Sequence, residues 1–415
     1  LLITLDIFKS FYYSKLDAIS PSEKVPSRFN MQTTFVPNQT SSPVNAERAA
    51  DWKPSDVESD LEKGQPYGKT YTKNMWYYAL PSDKLKKGEI ESKVMLGEPI
   101  VIGRDNEGKL FALRDICPHQ AVPLSAGPFD GKELMCPFHG WKFDTSGTCT
   151  EVPSLCSDQK MNLCKIRTAN YPVKEVLDSI WVYFGDTVNE ADLPEVPYAP
   201  GLDGLKYRKN TVTLQLPTHI DYAVAALIDT AHVPYVHKSW WWRSAKSVKE
   251  KTKTYVPSGT GWTMVKHQPS KHSLAFKLIG KYLETEISFR LPGCRREYLT
   301  FNGTTFLAGI TTLTPVDETH TELNHTTYWT LPIPKIVANP VLDYFVTTFL
   351  KQDQTLALMQ ENIINKYKPR LIMTIKDAGT PGHWYFLLKK EWNAATSEKR
   401  PFVNPIKETK LRWKT

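Results

Sequence analysis

Short apolar runs separated by turn residues fill the first half of the chain. The runs 99–102 and 110–113 flank residues 105–108, whose sequence Asp-Asn-Glu-Gly is typical of a β-hairpin turn. Further short runs follow, and residues 180–184 (Ile-Trp-Val-Tyr-Phe) end the series. The pattern predicts an all-β region, which a proline-rich stretch at 194–200 separates from the rest.

The second half of the chain mixes strand and helix patterns. Apolar or β-branched residues at every second position from Leu283 to Leu291 alternate with polar ones, which predicts a half-buried strand. Apolar residues at helical spacing predict a helix over 340–366. We expect a last helix to begin with Thr380 as N-cap and Pro381 in its first turn. This order predicts an α+β region after the all-β one.

The length and composition narrow the class of protein. The 415 residues suffice for two domains and a tail. We expect a loosely ordered arm over 1–70, a first domain over 71–190 and a second over 191–415. No apolar run approaches the roughly 20 residues of a membrane-spanning helix, so we expect no transmembrane segment. The net charge, 52 − 44 = +8, is spread along the chain and gives no reason to expect nucleic acid as a partner.

The cysteine content and the first 30 residues bear on location. Six cysteines are too few for a secreted scaffold stabilised by disulfides. The first 30 residues have neither a continuous apolar core nor a small-residue cleavage site, and they contain several acidic residues, which are unusual in a transit peptide. We therefore expect a soluble cytoplasmic protein, with the plastid stroma as the alternative. Met31 is the only methionine before Met75, which leaves open whether residues 1–30 belong to the natural protein.

A pair of cysteine–histidine motifs in the all-β region indicates a metal centre. Cys117 and His119 form C-x-H, and after sixteen residues Cys136 and His139 form C-x2-H. Two thiolates and two neutral imidazoles suit a [2Fe-2S] cluster in which cysteines bind one iron and histidines bind the other. We expect Gly127 to let the backbone fold closely around this cluster.

A structural zinc site is the alternative, because zinc binds the same four types of ligand. A zinc finger places its two histidines together on a helix, whereas each motif here joins one cysteine to one histidine. We therefore favour the cluster and expect Trp141 to shield it. Cys149, Cys156 and Cys164 lie at wide spacings, and we interpret them as ordinary thiols.

A second group of candidate ligands follows about ninety residues later. Asp229, His232 and His237 form D-x2-H-x4-H. In one helix Asp229 and His232 would share a face, whereas His237 would point elsewhere. Pro234 would break the helix and let His237 turn back towards His232. Two histidines alone often serve only as hydrogen-bonding residues, so a metal site needs a third, anionic ligand.

Asp353 is the candidate for that third ligand. It lies in the helix predicted over 340–366, on an apolar stripe with Phe349 and Leu356. A carboxylate on such a stripe is costly unless it is paired or binds a metal; an aspartate at the solvent edge of the stripe is the alternative. Two histidines and one carboxylate are typical of non-heme Fe(II) with open coordination positions. Glu361 is the fallback ligand.

These motifs, in this order, resemble those of the Rieske non-heme iron oxygenases, and the resemblance extends from Trp76 to about Trp392. It implies an α+β protein in which an N-terminal all-β Rieske [2Fe-2S] domain precedes a START-like helix-grip catalytic domain with an antiparallel sheet. It also implies the ligands of one [2Fe-2S] cluster per subunit, Cys117, His119, Cys136 and His139, and those of a mononuclear Fe(II), His232, His237 and Asp353.

The resemblance further implies how the two centres work together. Asp229 is similar to the family's bridging carboxylate, which links His232 to a Rieske histidine, here His139, of the neighbouring subunit. The ring that results is usually a homotrimer. A reductase or ferredoxin would supply electrons from NAD(P)H. The terminal oxygenase would then use O2 to hydroxylate or dealkylate a small organic substrate, aromatic or otherwise apolar.

The sequence departs from the family pattern at two places. Gln120 stands where such oxygenases usually have arginine, which bears on the hydrogen bonding and the redox potential of the cluster. Residues 219–226 are largely apolar, which favours a large apolar substrate. The motif around Asp229 also resembles the pheophorbide oxygenase branch, although this chain has no C-x2-C pair near its end. A tetrapyrrole (pheophorbide- or chlorophyllide-type) oxygenase is therefore the first alternative. A Rieske electron-transfer or redox-sensing protein without oxygenase turnover is the second. We interpret the three tryptophans at 240–242 as structural.

Overall fold

The computed structural model describes residues 71–186, 191, 193–197, 199–237, 248–268, 283–367 and 375–415. The predicted arm over 1–70 and the tryptophans at 240–242 lie outside the described residues. All described residues belong to one compact unit, Lys63–Thr415, so the predicted domain boundary at residue 190 stays a prediction. Among the described helices, none is both long and apolar enough to cross a membrane.

Three small antiparallel sheets form the first half of the described chain. Their strands are β1 (Met75–Pro81), β2 (Glu89–Met95), β3 (Glu98–Arg104), β4 (Leu110–Arg114), β5 (Glu133–Met135), β6 (Lys142–Asp144), β7 (Cys149–Glu151), β8 (Val173–Val176) and β9 (Ser179–Phe184). The strand orders are β1–β9–β8, β2–β3–β4 and β5–β6–β7. The predicted hairpin is confirmed between β3 and β4. Gly108 in its turn has a φ of 96°, which glycine adopts without strain.

An eight-stranded antiparallel sheet forms the centre of the second half. Its strands are β10 (Arg208–Leu216), β11 (Glu250–Ser258), β12 (Gly261–His267), β13 (Leu283–Arg290), β14 (Cys294–Phe301), β15 (Thr304–Pro315), β16 (Thr321–Trp329) and β17 (Thr409–Lys414). Their order across the sheet is β10–β16–β15–β14–β13–β12–β11–β17. The strand predicted from Leu283 is confirmed as β13, which ends at Arg290 because residues 291–293 form the turn into β14.

Four α-helices lie within the described ranges. They are α1 (Ile220–Ile228), α2 (Val233–Val236), α3 (Lys335–Tyr367) and α4 (Thr380–Ser397). The prediction of a helix over 340–366 is confirmed by α3. The prediction that Thr380 is the N-cap of the last helix is wrong by one residue. Gly379 is the N-cap, because a preceding turn already directs its backbone N–H to the carbonyl of Ile375 (2.8 Å). Pro381 lies in the first turn, as predicted.

The side chains of the large sheet alternate between two environments. On one face, the hydroxyl of Thr314 donates a hydrogen bond to the backbone oxygen of Tyr78 in β1 (2.8 Å). On the other face, Leu313 and Leu323 join a buried core that includes Leu350 of α3. The two faces of the sheet therefore contact different parts of the chain.

The first half of the chain is attached to the end of β15 and the start of β16. The backbone N–H of Leu96 donates to the carbonyl of Pro315 (2.8 Å), and Lys93 forms an ion pair with Glu322 (2.6 Å). The main core cluster is continuous from β1, β3 and β9 to β10, β15 and β16. Polar and apolar contacts therefore both join the small sheets to the large one.

A buried ion pair ties α1 to α4. Asp221, which is 0% exposed, accepts hydrogen bonds from Lys389 (2.7 Å) and from the hydroxyl of Tyr385 (2.6 Å). Since both charges are removed from water, each depends on the other for stabilisation. This pair fixes the start of the helix that leads to the candidate site.

Substitution Lys389→Met should strongly destabilise the protein, because it leaves the Asp221 carboxylate buried without its charged partner. We expect the free energy of unfolding to fall by about 3–5 kcal/mol, measured by urea denaturation. The control is Arg412→Met, which removes the exposed ion pair with Glu250 (3.2 Å) and should cost less than about 1 kcal/mol. Equal losses in the two variants would contradict this account of the buried pair.

Candidate metal centres

Two loops of equal backbone geometry carry the candidate cluster ligands. In each loop the cysteine N–H donates to the carbonyl five residues further on, at 2.9 Å for Cys117 and 2.8 Å for Cys136. Each cysteine carbonyl accepts from the N–H four residues further on, at 2.9 and 3.0 Å. The residue at that position is left-handed in both loops, with φ of 58° at Ala121 and 73° at Gly140. The two loops therefore have the same backbone conformation between the cysteine and the residue five positions later.

The four candidate cluster ligands converge between these loops. Cys117 and Cys136 are 2% and 3% exposed, and burial raises the pKa of the Cys117 thiol, which contacts Cys136. The ring centroids of His119 and His139 lie 4.7 Å apart, and both histidines are exposed. The arrangement fits an iron–sulfur group with its cysteine side in the core and its histidine side at the surface.

Gly127 and Trp141 lie next to the candidate cluster ligands, as predicted. A Cβ added to Gly127 would lie 1.9 Å from the carbonyl oxygen of Met135, which directly precedes the second loop, so a larger residue does not fit. The indole of Trp141 stacks on His119, with ring centroids 4.5 Å apart and planes 3° from parallel. The close approach of the loops thus requires glycine, and the indole covers one face of a candidate ligand.

The second candidate centre begins where α1 ends. Asp229 is the C-cap of α1 and has extended backbone angles, φ −67° and ψ 127°. The prediction that Asp229 and His232 share a helix face is therefore wrong. The Asp229 carboxylate accepts a hydrogen bond from the N–H of Ala231 (2.7 Å), which stabilises a turn in place of further helix.

The predicted break at Pro234 is also in the wrong place. Pro234 lies in the first turn of α2, where a missing backbone N–H removes no helix hydrogen bond. The chain changes direction before this residue, at 229–232. His232 and His237 cap the two ends of the four-residue α2, so one helical turn brings the histidines to the same side.

Asp353 of α3 meets both histidines. Its Oδ1 lies 3.5 Å from Nε2 of His237 and 3.8 Å from Nε2 of His232. In the part of the chain that the structure describes, this is the only group of three His, Cys, Asp or Glu side chains with ligand atoms within 4.8 Å of one another. Glu361, the fallback, lies outside the group, and its carboxylate accepts a hydrogen bond from Asn365 (2.7 Å).

Two neighbours of Asp353 on α3 hold His237 in place. Phe349 stacks on the imidazole, with ring centroids 3.5 Å apart, and Oε1 of Gln352 lies 3.0 Å from Nδ1. An amide oxygen only accepts, so His237 Nδ1 carries the proton and Nε2 keeps its lone pair. Leu356 of the predicted stripe is 46% exposed, because α3 joins the core only as far as Leu350. Sequence analysis missed Gln352, since no spacing rule marks it.

Burial sets the protonation of this group. It lowers the pKa of His237 to about 4, lowers the pKa of His232, and raises the pKa of Asp353 to about 7. Both imidazoles are therefore neutral near pH 7, as metal ligands must be. Nε2 of His237 is buried and has no hydrogen-bond partner among the described residues. A cation at this point would pair with that nitrogen and keep the carboxylate ionised, so the three residues fit a metal ion.

Asp229 lies beside the same group. Its Oδ2 is 3.8 Å from Nδ1 of His232, too far for a hydrogen bond, and its side chain is 42% exposed. The carboxylate is thus open to solvent on one side and close to a candidate ligand on the other.

The spacing of the first centre counts against the zinc alternative. No three of its four candidate ligands approach one another as closely as the 4.8 Å that His232, His237 and Asp353 satisfy. Ligands of a single zinc ion lie close together around it, whereas a two-iron cluster needs more room. The wider spacing therefore favours the cluster.

Comparison with known proteins agrees with this assignment. Residues 75–172 match the family described as the Rieske [2Fe-2S] domain. This part of the chain is therefore a Rieske domain. Since such domains hold a [2Fe-2S] cluster, the match confirms the predicted cofactor.

Relatives and solved structures extend the similarity. The chain is 33% identical to 4beta-methylsterol monooxygenase of Methylococcus capsulatus over 167 residues, which cover 40% of this chain and 44% of that protein. It is 33% identical to chloroplastic chlorophyllide a oxygenase of Chlamydomonas reinhardtii over 168 residues, 40% of this chain and 25% of that protein. The matches thus span less than half of these relatives. The structure of dicamba monooxygenase bound to dicamba superposes with a TM-score of 0.64 at 18% identity, covering 80% of this chain and 100% of that one.

The chain is therefore related to the Rieske non-heme iron oxygenases and has their fold, as the sequence resemblance predicts.

Substitution Gln352→Leu should weaken metal binding, because His237 would lose the acceptor that fixes its proton on Nδ1. We expect about a 10- to 100-fold loss of affinity for Co(II), followed by the visible absorption of the bound ion. The control is Gln354→Leu on the same helix, whose amide donates to the backbone oxygen of Gln215 (2.6 Å) and should leave the affinity unchanged. Equal Co(II) affinities in both variants would show that Gln352 does not position His237.

Proposed function

We propose that the protein is the terminal oxygenase of a Rieske oxygenase system that hydroxylates or dealkylates an apolar organic substrate, aromatic or otherwise. Cys117, His119, Cys136 and His139 would hold the cluster, and His232, His237 and Asp353 would hold the Fe(II). The observation that carries the proposal is the convergence of two imidazoles and one carboxylate in a chain that also has a Rieske domain. An electron-transfer protein would have no use for that second group.

The residues of the second centre have distinct tasks. Bound Fe(II) with open coordination positions would supply the one-electron chemistry that O2 requires to react with an organic molecule. Gln352 and Phe349 orient His237, and Asp353 supplies the negative charge that offsets part of the charge of the ion. Burial lowers the pKa of both imidazoles and so favours their unprotonated, metal-binding forms.

The residues of the first centre favour electron exchange at the surface. His119 and His139 are exposed, and Phe138, which directly precedes His139 in the second motif, is 55% exposed. We propose that a reductase or ferredoxin delivers electrons from NAD(P)H at this exposed edge. The cysteines are buried, so the histidine side is the accessible one.

The half-exposed Asp229 supports a contact between copies of the chain. We propose a head-to-tail homotrimer in which Asp229 of one protomer contacts His139 of the next and connects it to His232. Both Asp229 and His139 are accessible, as such a contact requires. The carboxylate would accept a hydrogen bond from each imidazole and so join the two centres across the interface.

A tetrapyrrole substrate remains the second candidate. It is favoured by the 33% identity to a chlorophyllide a oxygenase, although a relative of equal identity is named for a methylsterol. Both names specify multi-ring molecules, which agrees with the largely apolar sequence at 219–226. The substrate class is therefore proposed as a large, mainly apolar molecule.

Substitution His232→Ala should keep the visible colour of the cluster and abolish substrate-dependent O2 consumption, because the cluster ligands are untouched while the second centre loses a ligand. Absorption spectroscopy, iron analysis and an oxygen electrode measure the three quantities. His320→Ala is the control, since His320 is exposed and pairs only with surface groups. Substrate-dependent O2 consumption at the normal rate in His232→Ala would reject the proposed function.

Substitution Asp229→Asn should leave both metals bound and slow single-turnover oxidation of the reduced cluster by at least tenfold, because the neutral amide weakens the link between His232 and the neighbouring His139. Rapid-mixing absorption spectroscopy measures this rate. Asp317→Asn is a matched control, because Asp317 also lies three residues before a histidine, at 3.3 Å, but on the exposed surface. Equal rates in the two variants would show that Asp229 is not the bridge.

A further inference from the structure

A polar group on the large sheet faces the same side as the candidate Fe(II) ligands and is not used by the proposed chemistry. Arg295 and Glu297 lie on β14, Thr311 on β15 and His325 on β16. Arg295 is paired with Thr311, and Thr311 is paired with His325. Thr311 and His325 have the same parity as Leu313 and Leu323, so all of them point to the helix side of the sheet.

The charge of Arg295 reaches all three candidate Fe(II) ligands. After the larger effect of burial, it lowers the pKa of each of His232, His237 and Asp353. Among the described residues, no other basic side chain acts on all three. The geometry agrees, because Leu350 of α3 joins the same core as Leu313 and Leu323 and lies about one helical turn before Asp353, so that Arg295 and the metal group share the helix side of the sheet.

Arg295 has hydrogen-bonding capacity to spare. It donates to the carboxylate of Glu297 (3.0 Å), and its other N–H groups have no partner in the described part of the chain. The side chains of Arg295 and Glu297 are 27% and 39% exposed although they point to the helix side. Both side chains are therefore partly accessible on this side of the sheet.

His325 is the last member of this polar group. Its Nδ1 forms a hydrogen bond with the hydroxyl of Thr311 (2.8 Å), and its Nε2 has no partner among the described residues. Burial lowers the pKa of His325 to about 4, so the ring is neutral. A Cβ on Gly309 would lie 3.1 Å from this ring, so glycine leaves space for the imidazole.

We infer that Arg295, with His325 beside it, binds a carboxylate on the substrate, whose apolar body then extends towards His232, His237 and Asp353. The inference rests on the proposed function and narrows its substrate class to apolar organic acids. The guanidinium fork matches a carboxylate with two parallel hydrogen bonds, and the neutral imidazole can donate a third. Glu297 orients the guanidinium but also competes with the ligand for it.

Two fluorinated probes of nearly equal shape test the inference, 6-fluoro-2-naphthoate and its uncharged amide, 6-fluoro-2-naphthamide. We expect 19F NMR titration of the full chain, with its cluster oxidised, to show that the naphthoate binds about 10- to 100-fold more tightly than the amide. Arg295→Gln should remove this preference. Arg412→Gln is the matched control, because Arg412 also pairs with a glutamate on the same sheet but is exposed, and it should keep the preference.

A second variant and a second readout make the test independent of folding losses. Glu297→Gln removes the competing carboxylate and should tighten naphthoate binding by severalfold, a change that a damaged protein would not show. Replacing Fe(II) by Co(II) should speed the 19F relaxation of bound naphthoate relative to the Zn(II) form, which places the probe near the candidate ligands.

The inference is overturned if wild type binds both probes equally or not at all, if Arg295→Gln keeps the preference, or if Co(II) is bound but does not relax the naphthoate signal. Failure of the chain to take up Co(II) counts against the proposed function alone, since the two titrations still decide whether Arg295 recognises the carboxylate.

Discussion

Side-chain alternation along β14–β16 is the constraint on which both halves of the molecule depend. Thr314 contacts Tyr78 on one face, while the preceding residue, Leu313, packs under the helices on the other. A shift of one residue in register would exchange the two faces. It would turn Arg295 and His325 away from the candidate iron site and bury polar threonines in the helical core. Strand register therefore determines both how the Rieske domain contacts the large sheet and which side chains face the second centre.

The candidate iron site is assembled from parts that are unfavourable alone. A one-turn helix such as α2 is not stable in isolation, and a carboxylate as buried as Asp353 tends to take up a proton. The surrounding structure holds these parts together: the Asp221–Lys389 pair anchors α1, and Gln352 and Phe349 hold His237. Since a bound cation would favour the same arrangement, metal binding and the folding of 229–237 are expected to support each other.

The sequence predicts what depends on local patterns. The Cys–His motifs, the hairpin around Gly108, the alternation in β13 and the helix that carries Asp353 all follow from short-range periodicity or spacing, and the structure contains each of them. The shape of 229–237 did not follow, because α1 ends at Ile228 and the turn after it depends on Asp229 bonding its own backbone. Arg295 and His325 were missed because only the pairing of β14 with β15 and β16 brings them together.

The small sheets are joined to the large one by the Leu96–Pro315 hydrogen bond, the Lys93–Glu322 ion pair and a continuous core. This connection bears on the rate of electron delivery. A redox carrier on a flexible tether regulates its delivery by swinging between two docking positions. Because these contacts join the small sheets to the large one, we expect the two halves of this chain to move together. In the proposed oxygenase, the rate of electron delivery would then depend on how long the donor protein stays bound at the exposed histidine edge.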